Sequence, residues 1–261
     1  MLEVTLLTWR QQRGGLIGWG IGFFVLALMI IAFYPVIGEE YQTLYDSLPE
    51  EMRQAFSSAG DVGTPEGFLG VEYLSYIGVV YAIFAVGQGA RQLAGEEQDG
   101  TFDILLAQPL SRTRVVLEKV LASTLAILAM GLAGSLGLIL GSLMVGVDAD
   151  YGAFALVGLD LVPLTLVVYG LALLGSALFH QRSRATLLAT VYSVAAYFIN
   201  LFAPLADQLD PLKWASIFSY FGRSDALHRD LDPLYWLLSL GLAAALIAGA
   251  TLWFERKDVY G

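Results

Sequence analysis

An all-α polytopic membrane protein is the fold class that this sequence predicts, on three observations. Of 261 residues, 57% are hydrophobic and 15% charged, with a mean hydropathy of +0.65; a soluble domain carries about a quarter charged residues. Six runs approach or exceed the ~20 apolar residues that cross a bilayer as a helix. Lys and Arg gather on one side of those runs, as the positive-inside rule requires.

The spans are expected at 15–37, 70–92, 114–146, 153–179, 186–204 and 233–254. The first run, Leu16 to Ile37, is too long for the hydrophobic region of a signal peptide and lacks a small-residue cleavage pattern after it. With the N-terminus inside, ten basic residues fall on the inner side: Arg10, Arg13, Arg91, Arg112, Arg114, Lys119, Arg182, Arg184, Arg256 and Lys257. Four (Arg53, Lys213, Arg223 and Arg229) fall outside, so both termini are expected in the cytoplasm. Sixteen of the 24 acidic residues sort to the outer side, leaving −12 there and +2 inside. Such a face can gather cations, although a solvated acidic surface is the simpler reading. No repeat or linker divides the chain, and 1–261 reads as a single membrane domain.

Each connecting element has its own signature. In residues 1–13, Leu2, Leu6 and Trp9 recur at helical spacing beside Arg10 and Arg13, which suits a short interfacial helix before the first span. The outer loop 38–69 holds Leu44, Leu48, Met52 and Phe56 four apart, a surface-helix pattern. Gly131, Gly134, Gly137 and Gly141 give the third span a smooth face for close packing. The last outer segment, 205–232, is aromatic, with Trp214, Phe218, Phe221 and a helix start at Asp210-Pro211. It reads as a re-entrant hairpin, which is tolerated only if protein covers its backbone.

The segment "GEEQDGTFDILLAQPLSRTRVVLEK", 95–119, is charged where its flanks are apolar. Asp99 or Thr101 can cap a helix, and Asp103 then lies in its first turn. Phe102, Leu105, Leu106 and Pro109 form one apolar face; Pro109 ends the helix, and Ser111 caps the next. An acidic start disfavours anionic inner-leaflet lipid and points to a protein partner.

This segment resembles the signature loop of type-2 ABC transporter permeases. Glu96, Gly100, Thr101, Leu105, Leu106, Pro109, Ser111 and Arg112 match the loop pattern, with Glu97 and Asp99 adding to its acidic start. The resemblance implies a coupling helix over 95–110 that docks on a separate ATPase subunit. Phe102, Leu105 and Leu106 would supply the contact area, and Glu96, Glu97 and Asp99 the orienting charge. It also implies six spans, an exporter working as a dimer with a second copy or a paralogue, and a prokaryotic cytoplasmic membrane. The implied pathway runs along spans two and five, past Tyr73, Tyr76, Tyr81, Gln88, Tyr192, Tyr197 and Asn200. For any single tyrosine, helix packing or an aromatic belt explains the residue better.

The chain is not expected to hydrolyse ATP itself. Its three lysines follow Glu118, Leu212 and Arg256, and none sits in a glycine-rich phosphate loop. ATP and Mg therefore belong to the partner ATPase, and neither a cofactor, a metal, a catalytic residue nor a nucleic-acid partner is expected on this chain. Without cysteine there is no thiolate site or cysteine nucleophile.

Two rival classes fit less well. An intramembrane protease would need a dyad or a metal site, yet Ser176 and His180 share one helix, and His180 and His228 fall on opposite sides of the membrane. An ATP-independent carrier or channel would want an ionisable group at mid-membrane. Asp160 and Glu72 are expected nearer the outer edge, solvated at the interface.

Overall fold

The computed structural model describes residues 3–47, 64–100, 110–203, 207–221 and 225–256. Among the described residues six helices are long and apolar enough to cross a membrane, at the six expected positions. They are α1 (Glu3–Ser47), α2 (Pro65–Gln98), α3 (Arg112–Val145), α4 (Tyr151–Leu178), α5 (Arg182–Phe202) and α6 (Pro233–Arg256). Among the described residues no strand forms, and the one isolated bridge pairs Asp225 with Asp230.

Local chemistry sets the helix ends. The Thr64 hydroxyl accepts from Gly67 N at 3.1 Å, and Pro65 follows with its φ already helical. Ser111 caps α3 through Arg114 N, and Gly146 closes that helix in the left-handed conformation at φ 70°. Asp150 caps α4, accepting from Gly152 N at 2.9 Å and Ala153 N at 3.1 Å. Arg229 grips the same carboxylate at 2.7 and 2.5 Å, and holds the carboxyl well below its ordinary range, at about 2.

Helix α4 is the axis of the bundle. In its most apolar window 83% of residues are buried, against 17% in α1, 22% in α5 and 28% in α6. It packs on α2, α3, α5 and α6, while α1 lies against α3. The glycine face expected on α3 is used at two crossings. Gly131 meets Gly158 of α4 so closely that a Cβ on either would overlap the other's carbonyl oxygen. Further along, Gly137 and Gly141 receive the backbone of α1 at Phe24 and Leu28. Gly89 of α2 is equally constrained, since a Cβ there would sit 2.6 Å from Tyr169 O of α4.

Two expectations are corrected in form. The N-terminal segment is not a separate interfacial helix: α1 runs unbroken for 45 residues, about 68 Å at 1.5 Å per residue. The reason is tertiary. Glu118 Oε2 accepts from Val4 N at 2.9 Å and Thr5 N at 3.4 Å, and Trp9 Nε1 donates to Ala122 O at 3.0 Å. Leu6 and Leu7 stay exposed while Val4, Thr5 and Thr8 are buried. Glu118→Ala removes this cap, worth about 1 kcal/mol. Trypsin should then cut at Arg10 and Arg13 about fivefold faster, and unchanged digestion would show that α1 is held elsewhere.

The other correction is at Asp210-Pro211, where the chain forms a 3-10 stretch, Asp207–Ala215, and no α-helix. The α-helical turn comes later, at Ile217–Phe221. Phe218 and Phe221 are buried and Trp214 is exposed. Ser216 Oγ donates to Ala196 O at 2.7 Å, tying this turn to α5, and Phe218 lies on Gly78 of α2 and on the Tyr197 ring. Of the expected surface helix in 38–69, the part to Ser47 is helical and continuous with α1; its remainder lies outside the described residues.

Candidate functional site: a polar hub at the inner end

The described part of the signature segment sits where α2 ends. Two π-helical turns interrupt α2, the second at Arg91–Gly95, and such turns leave backbone donors out of register. Ser176 of α4 repairs the second one. Its hydroxyl accepts from Leu93 N at 3.2 Å and Ala94 N at 2.8 Å, and donates to Ala90 O at 3.1 Å. That role leaves no serine–histidine dyad: His180 lies instead 2.7 Å from the Glu97 carboxylate. Among the described residues no cluster of His, Asp and Glu is arranged to hold a metal.

The acidic turn is held from two sides. Glu96 turns inward, 8% exposed, and its Oε1 lies 2.5 Å from Lys119 Nζ of α3, itself 1% exposed. Glu97 takes His180, and Gln98 Oε1 accepts from Arg182 N at 3.1 Å. Asp99 and Gly100 then turn the chain out of α2, Gly100 at φ 67° where glycine avoids the Cβ penalty. Thr101, Phe102, Leu105, Leu106 and Pro109, together with the helix expected over them, lie outside the described residues. Ser111 restarts the chain as the cap of α3. Arg112 reaches Phe254 of α6, donating to its carbonyl at 3.4 Å and lying over its ring.

Glu96 is therefore corrected as a direct docking residue. Its carboxylate faces the bundle, and Glu97 and Asp99 carry the remaining acidic character of the turn. Behind it lies fully buried Gln92, one turn back on α2. Gln92 Nε2 donates to Ser123 Oγ and to Lys119 O, and Tyr169 OH of α4 donates to Gln92 Oε1 at 3.0 Å.

The candidate pathway residues divide. Tyr73 and Tyr81 are each 1% exposed and point into the bundle. Tyr81 OH donates to Met130 O at 2.9 Å, and its ring packs 4.1 Å from Phe23. They are core residues, because the α2 face that carries them is covered by α1 and α3. Tyr76 and Gln88 are half-exposed; Gln88 Oε1 is buried and accepts no hydrogen bond among the described residues. On α5, Tyr192, Tyr197 and Asn200 are half-exposed too. Tyr192 OH donates to Ala215 O at 3.2 Å, which braces α5 against the outer segment.

Asp160 is a further correction. It is 1% exposed, not solvated, and Trp236 Nε1 of α6 donates to its Oδ1 at 2.8 Å. Sequence reasoning gave Asp160, Lys119 and Ser176 other roles and missed Gln92, Ser123 and Tyr169 altogether. A signal existed for part of it: Gln92/Glu96 and Lys119/Ser123 are two i,i+4 polar pairs set in apolar runs.

Six apolar helices with the fourth buried among them, joined by a polar hub at one end and an aromatic outer segment at the other, define a multi-pass membrane protein. Residues 3–255 match the family described as "Multidrug efflux system permease Rv1217c, C-terminal domain", and the chain belongs to that family. A relative, the multidrug efflux system permease protein Rv1217c of Mycobacterium tuberculosis (strain ATCC 25618 / H37Rv), is 31% identical over 265 residues. The alignment takes in 97% of this chain and 44% of the relative, so the chain spans less than half of that protein's length.

Proposed function

We propose that this chain is the membrane-spanning subunit of an ATP-driven type-2 ABC exporter. It pairs with a second copy or a paralogue and couples through the 95–110 segment to separate ATPase subunits that bind ATP and Mg. The membrane is the cytoplasmic membrane of a prokaryote, and the cargo is drug-like, as the relative's name suggests. One observation carries the reading. The acidic signature segment begins at the last turn of α2 and ends at the Ser111 cap of α3, so a short insertion between two bundle helices is presented at the end expected to face the cytoplasm. Family membership supports it independently. Tyr76, Gln88, Tyr192, Tyr197 and Asn200, half-exposed on α2 and α5, remain as pathway candidates.

The ATP-independent carrier is the less favoured reading. Asp160 is the buried carboxylate that such a mechanism would want, but it bonds Trp236 at the α4–α6 contact, away from the half-exposed faces of α2 and α5.

The test is affinity purification of the tagged chain from its native membrane in mild detergent, beside Phe102→Asp. A stoichiometric ATPase is expected with the wild type. At least about tenfold less should accompany the variant, as for loss of an apolar anchor at an interface. A correctly inserted wild-type chain that brings down no ATPase would refute the exporter reading.

A further inference from the structure

The inner turns of α3 gather more of the molecule than their length suggests. Arg112 and Thr113 hold the end of α6 through Phe254 and Glu255. Glu118 holds the start of α1. Lys119, the next residue, points elsewhere on the helix and holds the last turn of α2 through Glu96. One turn on, Ser123 joins the Gln92–Tyr169 hydrogen bonds and so reaches α4. Residues 112–123 thus contact every helix of the bundle except α5 directly or through one side chain. The remaining helix, α5, is tied to the same turn of α2 by the bond from Arg182 N to Gln98.

The Lys119–Glu96 pair has a particular position in this hub. Glu96 stands at the start of the docking segment and Lys119 two turns beyond its end, 23 residues apart in sequence. The pair closes that excursion at its base, inside the protein and away from solvent. Stability alone does not explain two charges there, since a well-packed apolar pair holds helices equally well or better. An ion pair does what an apolar contact does not: it fixes one register of α2 against α3, because sliding either helix by a turn leaves a charge buried without its partner. The excursion then cannot deform at its root.

We propose that Lys119 and Glu96 form a positioning clamp that makes the base of the 96–112 segment move as one piece, carrying the displacement of a docked ATPase into α3 and from there to the outer segment. This rests on the exporter reading above and assigns the residues that transmit the motion.

The test uses the full chain with its co-purified ATPase in nanodiscs. Amide hydrogen exchange over 207–221 is compared before and after trapping nucleotide with vanadate. The variants are Lys119→Met, the exchanged pair Lys119→Glu/Glu96→Lys, and the neutral pair Lys119→Met/Glu96→Met, which keeps side-chain volume without a lone buried charge. The wild type should show a trapping-dependent change of about threefold or more in the outer segment. Lys119→Met and the neutral pair should retain the ATPase and trap nucleotide at wild-type stoichiometry while losing that change, and the exchanged pair should recover at least about half of it. Should Lys119→Met fail to assemble, the neutral pair decides alone. A neutral pair that transmits the full wild-type change overturns the clamp and leaves the exporter reading intact. A wild type that brings down no ATPase, or whose outer segment ignores trapping, overturns the coupled reading and the clamp together.

Discussion

Gly158→Leu is expected to abolish the folded bundle or lower its stability by on the order of 4 kcal/mol or more, in the range reserved for severe core disruption. At this crossing α3 and α4 touch backbone to backbone. A side chain at Gly158 meets Gly131 O and also Ser135 Oγ, which now accepts from Gly158 N at 3.1 Å. Gly131 O is backbone, and Ser135 Oγ is held by Gly158 N and Ala155 O, so relief requires the helices to separate. Separation would uncover α4, the helix on which α2, α3, α5 and α6 all pack. Thermal unfolding in detergent, followed by loss of the monodisperse elution peak, measures the effect. Gly241→Leu is the control, because a Cβ there meets nothing within 4 Å; it should leave the melting temperature within the error of the measurement. Equal stability of the two variants would show that the crossing is not tight.

The second large effect is expected at Tyr235→Phe. Pro163 interrupts α4, where it lacks an N–H and crowds the preceding turn. The Tyr235 hydroxyl of α6 enters that opening, donating to Asp160 O at 2.8 Å and accepting from Leu164 N at 3.1 Å. One hydroxyl therefore bridges Leu164 N and Asp160 O beside the proline, a recognised way for a side chain to insert into the helical ladder. Phenylalanine keeps the ring packing on Phe221 but strands two buried backbone groups. Each costs about 1–3 kcal/mol when left unpaired, so a loss of about 3 kcal/mol is expected, read as a lower melting temperature. Tyr192→Phe is the matched comparison. Tyr192 also donates to a carbonyl, but it is half-exposed, so water can take over its partners, and its loss should stay below about 1 kcal/mol. If the two variants melt together, the hydroxyl at the proline break contributes nothing to α4.

How much was legible in the sequence depended on whether a residue's partner was near in the chain. Ser111, Asp150 and Gly146 act on their own helix ends, and such short-range chemistry can be read from spacing. The glycines of α3 were legible as a packing face because their recurrence is a property of one helix. Which helices would fill that face was not legible: Gly131 takes α4, whereas Gly137 takes α1. The tyrosines of α2 illustrate the limit. Tyr73, Tyr76 and Tyr81 read alike on a wheel of aromatic and apolar residues, yet burial by α1 and α3 makes two of them core and leaves only Tyr76 half-open. Lys119 was counted as an inner-side charge. Its burial follows from Glu96 facing it, and two residues 23 apart become neighbours only once α2 and α3 pack.

By itself, then, the sequence determined the number of membrane-crossing helices, their positions and the class of the molecule, because those follow from hydrophobic run length and from caps acting over three or four residues. The tertiary structure alone decided the placement of α4 at the centre, the continuity of α1 through its N-terminal segment, the burial of Asp160 and the inward turn of Glu96. Each of these turns on which face of one helix meets which face of another. In a chain whose helices are apolar almost all round, hydrophobicity does not distinguish those faces; glycine contacts and buried polar pairs do, and their partners lie far apart in the chain.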